Sequence, residues 1–389
     1  MSGRASAVRP PVWRDVRFLR LFLQLLAVAG TGLLLYILWF NLTNNLRAQG
    51  IRTDFGFLDQ PIGVQVADSG LNPGAPIRRA LAIGIKNTLS LVIVGLPLLT
   101  VIGVVVGIAR LSTNWLAARA STLFVETLRN VPPLLIIVFA FRAVVLRLPP
   151  SREPITPFGW MVVSNLRITV PGFNARESFG TLRWAMLISL AGAVAVWWWR
   201  TRRSDRTGHP HHRLLWSLGL LFGVGVVAYF ALGGPIGISR PTLEGRVVSG
   251  GFSGLGAYFA VLGALVLYTA SHVAEIVRGS ILAVPMGQTE AATALALTSF
   301  QRLRFVVLPQ AMRIALPPVI NQYLNYTKNT SLALAVGFAE ITTISFQAIG
   351  NGQPAPQLIL LLMASYLLFS LTISLLVNLL NRRLQLVTL

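Results

Sequence analysis

The sequence predicts an all-α polytopic membrane protein of about eight transmembrane helices, on three observations. Residues of the AVILMFWYC class fill 54% of its 389 positions, and mean hydropathy is +0.67. Charged residues are 12%, half the share of about 25% found in soluble proteins. The apolar residues fall in continuous runs of about twenty, the length a helix needs to cross roughly 30 Å of hydrocarbon. In water so little charge would leave large apolar patches that aggregate, and disorder requires the opposite composition. Barrel strands alternate apolar and polar positions, which these runs do not.

The first run, 21–42, follows a basic tail carrying Arg4, Arg9, Arg14, Arg17 and Arg20. It ends in Trp39-Phe40-Asn41-Leu42 with no small-residue cleavage site, so it reads as a retained span rather than a signal peptide. Further spans are expected at 87–109, 132–149, 182–199, 214–233, 255–277, 313–338 and 357–380. Arginine sets the orientation. With the N-terminus inside, the inner segments hold the tail, Arg110, Arg119, the cluster Arg200 to Arg213, Arg278, Arg302, Arg304, Arg382 and Arg383. The outer loops, 43–84, 150–181 and 234–254, are longer yet less densely basic, and an even span count places both termini in the cytoplasm.

The formal net charge is +21, yet only Lys86 and Lys328 are lysines and the arginines sit between apolar runs. Anionic membrane lipid, and not nucleic acid, is therefore the expected partner. The absence of cysteine excludes disulfides, thiolate metal sites and cysteine nucleophiles. The loop 200–213 holds three of the four histidines, but only Asp205 joins them, so it reads as a solvated loop. No catalytic residue, metal site or cofactor is predicted.

The segment between the sixth and seventh spans, 278–310, is too long and too well patterned for an ordinary connection. Gln288 to Leu297 reads as an alanine-rich helix that Thr289 can cap, with Pro285 ahead of it and a second short helix starting at Thr298-Ser299. Its alanines leave one side nearly flat for close packing, and it lacks the large apolar anchors and basic face of an interfacial helix.

Within it, Glu290-Ala291-Ala292, three residues, Ala296, nine residues and Val306-Val307-Leu308-Pro309 resemble the EAA loop of ABC importer permeases. That family's pattern is Glu-Ala-Ala, three residues, Gly, nine residues, Ile-x-Leu-Pro. Ala296 stands in the glycine's place and Val306 in the isoleucine's, both conservative in size. The stretches Glu126-Thr-Leu-Arg129-Asn130-Val-Pro132-Pro133, Ala270 to Gly279, Leu316-Pro317-Pro318-Val-Ile-Asn321 and Lys328-Asn-Thr330-Ser331-Leu332 are similar to permeases for polar amino acids. The likeness covers about 84–385, interrupted at about 150–250. Two added spans and an N-terminal one resemble the longer permease subunit of general L-amino acid systems.

The resemblance implies a type I ABC importer (MetI-like) transmembrane domain over 84–385, preceded by a tail, span and periplasmic loop over 1–83, in a bacterial inner membrane. It implies three protein partners: an ATP-binding subunit, a second permease subunit (identical or a sister) and a periplasmic amino-acid-binding protein. ATP hydrolysis falls to the separate subunit, since no phosphate-binding loop motif occurs in this chain. Gly287, Glu290, Ala291, Ala292, Ala296, Leu308 and Pro309 would couple to that ATPase, with Glu290 offering a charge-assisted hydrogen bond. An ion-gradient-driven secondary transporter is the alternative, although no inverted repeat is found. A membrane enzyme would cluster carboxylates or histidines at one depth, and none do.

Two charged features remain. Glu126 and Arg129, spaced i, i+3 before Pro132-Pro133, are expected to pair and position an elbow helix. Lys328 lies deep in the seventh span, where a lysine costs roughly 2.5–3.5 kcal/mol and is usually paired or faces water. It would either line a substrate path with Asn325, Thr327, Asn329, Thr330 and Ser331, or pair with Glu340 or nearby carbonyls. Arg142 is expected to reach outward along its span.

Overall fold

A computed structural model describes residues 16–48, 50, 54–66, 71–207, 212–244 and 247–384. Arg4, Arg9 and Arg14 of the basic tail and His209 and His211 of the loop 200–213 lie outside the described residues, as do the side chains of Arg17, Asp205, Arg213, Arg382 and Arg383.

Among the described residues, seven helices are long and apolar enough to cross a membrane, or eight when one bent pair counts as a span. In chain order the helices are α1 (Val16–Ala48), α2 (Ile77–Ala109), α3 (Trp115–Arg129), α4 (Pro133–Phe139), α5 (Phe179–Thr207), α6 (Arg213–Ala231), α7 (Gly256–Leu282), α8 (Met286–Ala294), α9 (Ser299–Arg302), α10 (Leu308–Asn329), α11 (Ile341–Gly350) and α12 (Ala355–Leu384). The bent pair joins α3 to the run from α4 to Arg147 at 103°. The bend falls at Pro132-Pro133, where a proline can open a helix but cannot continue one.

The core is α2 packed on α7, with α10 against both. Hydrocarbon gives helices no hydrophobic reason to associate, so small residues that admit close backbones decide where they meet. A Cβ on Gly103 would stand 2.6 Å from Val273 Cγ1, and one on Gly107 2.6 Å from the Ala274 carbonyl oxygen. At Gly95 it would lie 1.8 Å from the hydroxyl of Tyr326, which donates to the Leu91 carbonyl at 2.9 Å. Towards the other end of α2, Phe57 and Ile62 close over Ile77, Ala80, Ile344 and Leu358.

The first and fourth expected spans, 21–42 and 182–199, lengthen to α1 and α5, and two others depart further. The second span begins at Ile77, not 87. Arg78, Arg79 and Lys86 interrupt the apolar run, but the helix carries them past the hydrocarbon, where Arg78 pairs with Asp59 at 3.1 Å. The seventh is a continuous helical run, 299–336, in which α9, a π turn at Leu303–Val307, α10 and a 3-10 turn at Thr330–Val336 follow one another.

The inserted region carries short strands that the span reading did not anticipate: β1 (Val162–Val163), β2 (Arg167–Val170), β3 (Gly172–Ala175), β4 (Ile236–Ser239), β5 (Thr242–Glu244), β6 (Val247–Ser249) and β7 (Phe252–Leu255). They form an antiparallel sheet in the order β1-β2-β7 and two separate pairs, β3-β4 and β5-β6. Thr169 opposes Ser253 and Phe173 opposes Ile238. These pairings stitch the two ends of the insert together, so α5 and α6 emerge as a hairpin packed along its length. The run Arg167-Ile-Thr-Val170 before Pro171-Gly172 is a strand signal that was available in the sequence.

Candidate functional site

The segment after α7 folds into a short exposed helix held by its own chain. Pro285 precedes α8, which starts at Met286, two residues before the expected start. Thr289 is therefore interior and does not cap it; its carbonyl accepts a hydrogen bond from the Thr293 hydroxyl at 2.8 Å. Thr298 opens α9 with a capping box, its hydroxyl accepting from the Gln301 amide while Gln301 Oε1 accepts from the Thr298 amide. Arg302 donates to Thr293 Oγ1 at 3.0 Å, and Gln310 Nε2 to Gln288 Oε1 at 3.3 Å. These bonds tie α8 to α9 and to the start of α10.

Gly287, Glu290, Ala291 and Ala296 are exposed, and so is Ala294. Glu290 forms no ion pair among the described residues. Met286 and Leu295 are 78% and 75% exposed, giving the helix the large apolar anchors that the sequence reading denied it. Ala292 is only 2% exposed and faces the chain's own interior, so it is not part of the outward surface. Leu308 and Pro309 are half-buried at the first turn of α10, where proline suits the helix start.

Ala296 has φ +53°. The amide of Leu297 donates to the Ala292 carbonyl and that of Ala296 to Thr293, the paired bonds of a Schellman end whose left-handed residue is usually glycine. Size is therefore not what distinguishes glycine from alanine at this position; backbone handedness is.

A charge cluster sits where α2, α3 and α7 end beside this segment. Arg110, just past α2 with a side chain 9% exposed, bonds the Glu275 carboxylate and reaches Glu126 Oε1 at 3.4 Å. Glu275 also takes Arg278 at 2.9 Å and Arg129 at 3.9 Å. Glu126 and Arg129 thus do not pair with each other as expected. Each joins the Arg110–Glu275 core, fixing α3 against the last turns of α7.

The seventh span carries the second feature. Asn321, Asn325 and Lys328 are all exposed and are spaced i, i+4, i+7, so they form one stripe along α10. Tyr326 bonds the Leu91 carbonyl, five residues from Lys86, so the Lys328 end of the stripe lies toward the Ile77 end of α2 and not at the centre of the span. Three exposed polar side chains on one line of a crossing helix are a costly face to turn to hydrocarbon. Thr330 is fully buried, donating to the Thr327 carbonyl at 2.7 Å, and is not on the stripe. Ser331 is half-buried and donates to the Lys328 carbonyl. Thr327 is buried and Asn329 half-buried.

The pairing of Lys328 with Glu340 does not occur. Glu340 is fully buried and caps α11, accepting from the Thr343 amide at 2.8 Å and from the Tyr366 hydroxyl at 3.0 Å. Arg142 is exposed, within a π turn at Ala140–Val144. Asn321 joins Asn325 and Lys328 through the i, i+4, i+7 spacing, a signal present in the sequence beyond the residues expected at the path.

Comparison with known proteins bears on both features. The chain is 34% identical to the general L-amino acid transport system permease protein AapQ of Rhizobium johnstonii, covering 98% of this chain and 95% of that one. It is 34% identical to the putative amino-acid ABC transporter permease protein YhdX of Escherichia coli, over the whole of both chains. It is likewise 34% identical to the glutamate/glutamine/aspartate/asparagine transport system permease protein BztB of Rhodobacter capsulatus, covering 96% and 95%. Residues 213–386 match the family described as binding-protein-dependent transport system inner membrane component, and this range includes α8 and the α10 stripe. These relatives favour an ABC permease over a secondary transporter, and the chain belongs to the family of amino-acid ABC transporter permeases.

Proposed function

We propose that this chain forms one half of an ATP-driven path for L-amino acids across a bacterial inner membrane, with residues 84–385 as the translocating unit and both termini in the cytoplasm. A periplasmic binding protein delivers the substrate, a second permease subunit completes the path, and a separate subunit hydrolyses ATP. Its groove receives α8, with Met286 and Leu295 as apolar anchors and Glu290, Ala291 and Ala294 between them. The bonds from α8 to α9 and α10 carry a displacement of α8 into the helix that bears the stripe.

The observation that carries this reading is the exposed stripe Asn321, Asn325 and Lys328 along the crossing helix α10. Every amino acid presents an α-carboxylate while its side chain varies. A lysine facing a watered path is a suitable partner for the constant group, and two asparagines supply hydrogen bonds that demand no particular side chain. Lys328→Met keeps length and removes charge. A charged hydrogen bond is worth about 1.5–3 kcal/mol, so uptake of every substrate by the reconstituted complex should fall roughly 10- to 100-fold at low concentration. Normal uptake with intact assembly would refute the carboxylate role.

A further inference from the structure

The α5–α6 hairpin ends, on the side opposite its strands, in a cluster that the transport reading does not use. The sequence Trp197-Trp198-Trp199-Arg200-Thr201-Arg202-Arg203-Ser204-Asp205-Arg206 sets four arginines against one aspartate. Helical spacing sorts them into two ladders on one face of α5. One is Trp198, Arg202 and Arg206, each four residues from the next; the other is Trp199 and Arg203, also four apart. Arg202 Cζ lies 3.5 Å from the Trp198 ring centroid and Arg203 Cζ 5.4 Å from that of Trp199. Arg200 belongs to the opposite face and stacks on Trp216 of α6 at 4.4 Å, which holds the two helices together at this end. The five residues of the outward face are all exposed.

Such a face is poorly suited to bulk water or to hydrocarbon. Two exposed indoles belong at the boundary between headgroups and acyl chains, and three guanidinium groups within two turns repel one another unless an anion lies between them. Stacking on indole occupies the flat face of a guanidinium but leaves its N–H edge free to bind two oxygens of a phosphate. The connectivity gives the side of the membrane: α5 follows β2 and β3, α7 follows β7, β2 pairs with β7, and α7 leads directly to α8. The face therefore lies at the same membrane surface as α8.

We propose that Arg202, Arg203 and Arg206, with Trp198 and Trp199, form a binding site for the phosphate headgroup of an anionic phospholipid in the leaflet on the α8 side. Charge complementarity selects an anionic over a zwitterionic headgroup, and the indoles set the depth at which the phosphate sits. The site anchors the inserted hairpin in the bilayer beside the transport unit.

The test uses the complete transport complex, purified from membranes holding phosphatidylglycerol and phosphatidylethanolamine, with retained lipids weighed by native mass spectrometry. The wild type should retain phosphatidylglycerol in preference to phosphatidylethanolamine. Replacing all three arginines by glutamine should lower that preference on the order of a hundredfold, whereas three lysines should keep most of it. Arg206→Gln alone leaves both stacked pairs intact and should give roughly a fivefold loss. Unchanged retention in the triple glutamine variant would overturn the site. Displacement of the lipid by millimolar inorganic phosphate would make it a free-anion site instead. Loss of a protein subunit with lipid retention unaltered would make it a protein interface.

Discussion

Replacing Ala296 with glycine should strengthen the end of α8, although it removes a methyl group and adds no contact. Ala296 holds φ at +53° so that its amide and that of Leu297 can close the last turn of α8. A side chain in this left-handed region costs about 1–2 kcal/mol because the Cβ crowds the following carbonyl. Glycine avoids that cost but loses roughly 0.5–1 kcal/mol more conformational freedom on ordering, so the net gain is about 1 kcal/mol. Local opening of the turn should then become about fivefold rarer. Hydrogen–deuterium exchange on the purified complex reads this at the Leu297 amide, which donates to Ala292, after correction for the altered intrinsic rate beside glycine. Ala296→Val, a branched residue ill-suited to positive φ, should move protection the other way. Equal or lower protection in the glycine variant would show that the turn is not limited by backbone handedness, and the account of the motif's glycine would fail.

The charge cluster predicts that Glu275→Gln, which leaves Arg110, Arg129 and Arg278 with less compensation, destabilises the contact of α3 with α7 by about 1–3 kcal/mol; thermal unfolding of the solubilised complex reads it, and an unchanged midpoint counts against the network. Gly95→Ala places a Cβ 1.8 Å from the Tyr326 hydroxyl and should cost about 1–3 kcal/mol in the same measurement, with partial recovery when Tyr326→Phe removes the nearest clashing atom. Bulky charged substitutions at Ala291 and Ala292 should differ in kind. At exposed Ala291 the chain should stay folded but lose substrate-stimulated ATP hydrolysis, whereas at buried Ala292 limited proteolysis should report a disordered loop. Normal hydrolysis in the Ala291 variant would remove α8 from the ATPase interface.

The crossing segments could be read from the chain because hydrocarbon imposes a length and an apolar composition that few other settings require. Their ends were harder to read, since charged residues such as Arg78 and Arg79 can lie on the same helix once it leaves the hydrocarbon. The strands of the insert carry only a few residues each, too short for periodicity to dominate, and their pairing joins β2 to β7 across the whole hairpin.

Motif spacing singles out the segment around α8 but not which side of it faces outward, and neighbouring residues fall on opposite sides of that division. Ala291 is exposed and Ala292 buried; Lys328 is exposed and Thr330 buried. The difference is made by distant packing: α8 lies against the π turn before α10, and the Thr330 hydroxyl lies within 3.4 Å of Tyr366 on α12. A local pattern contains neither partner. The stripe Asn321, Asn325 and Lys328 is the opposite case, because helical periodicity alone aligns three polar residues on a span that is otherwise mostly apolar. What the spacing lacked was exposure. Packing buries Tyr326 and Thr327 and leaves the three stripe residues open, and an open lysine on a crossing helix is costly to leave against lipid.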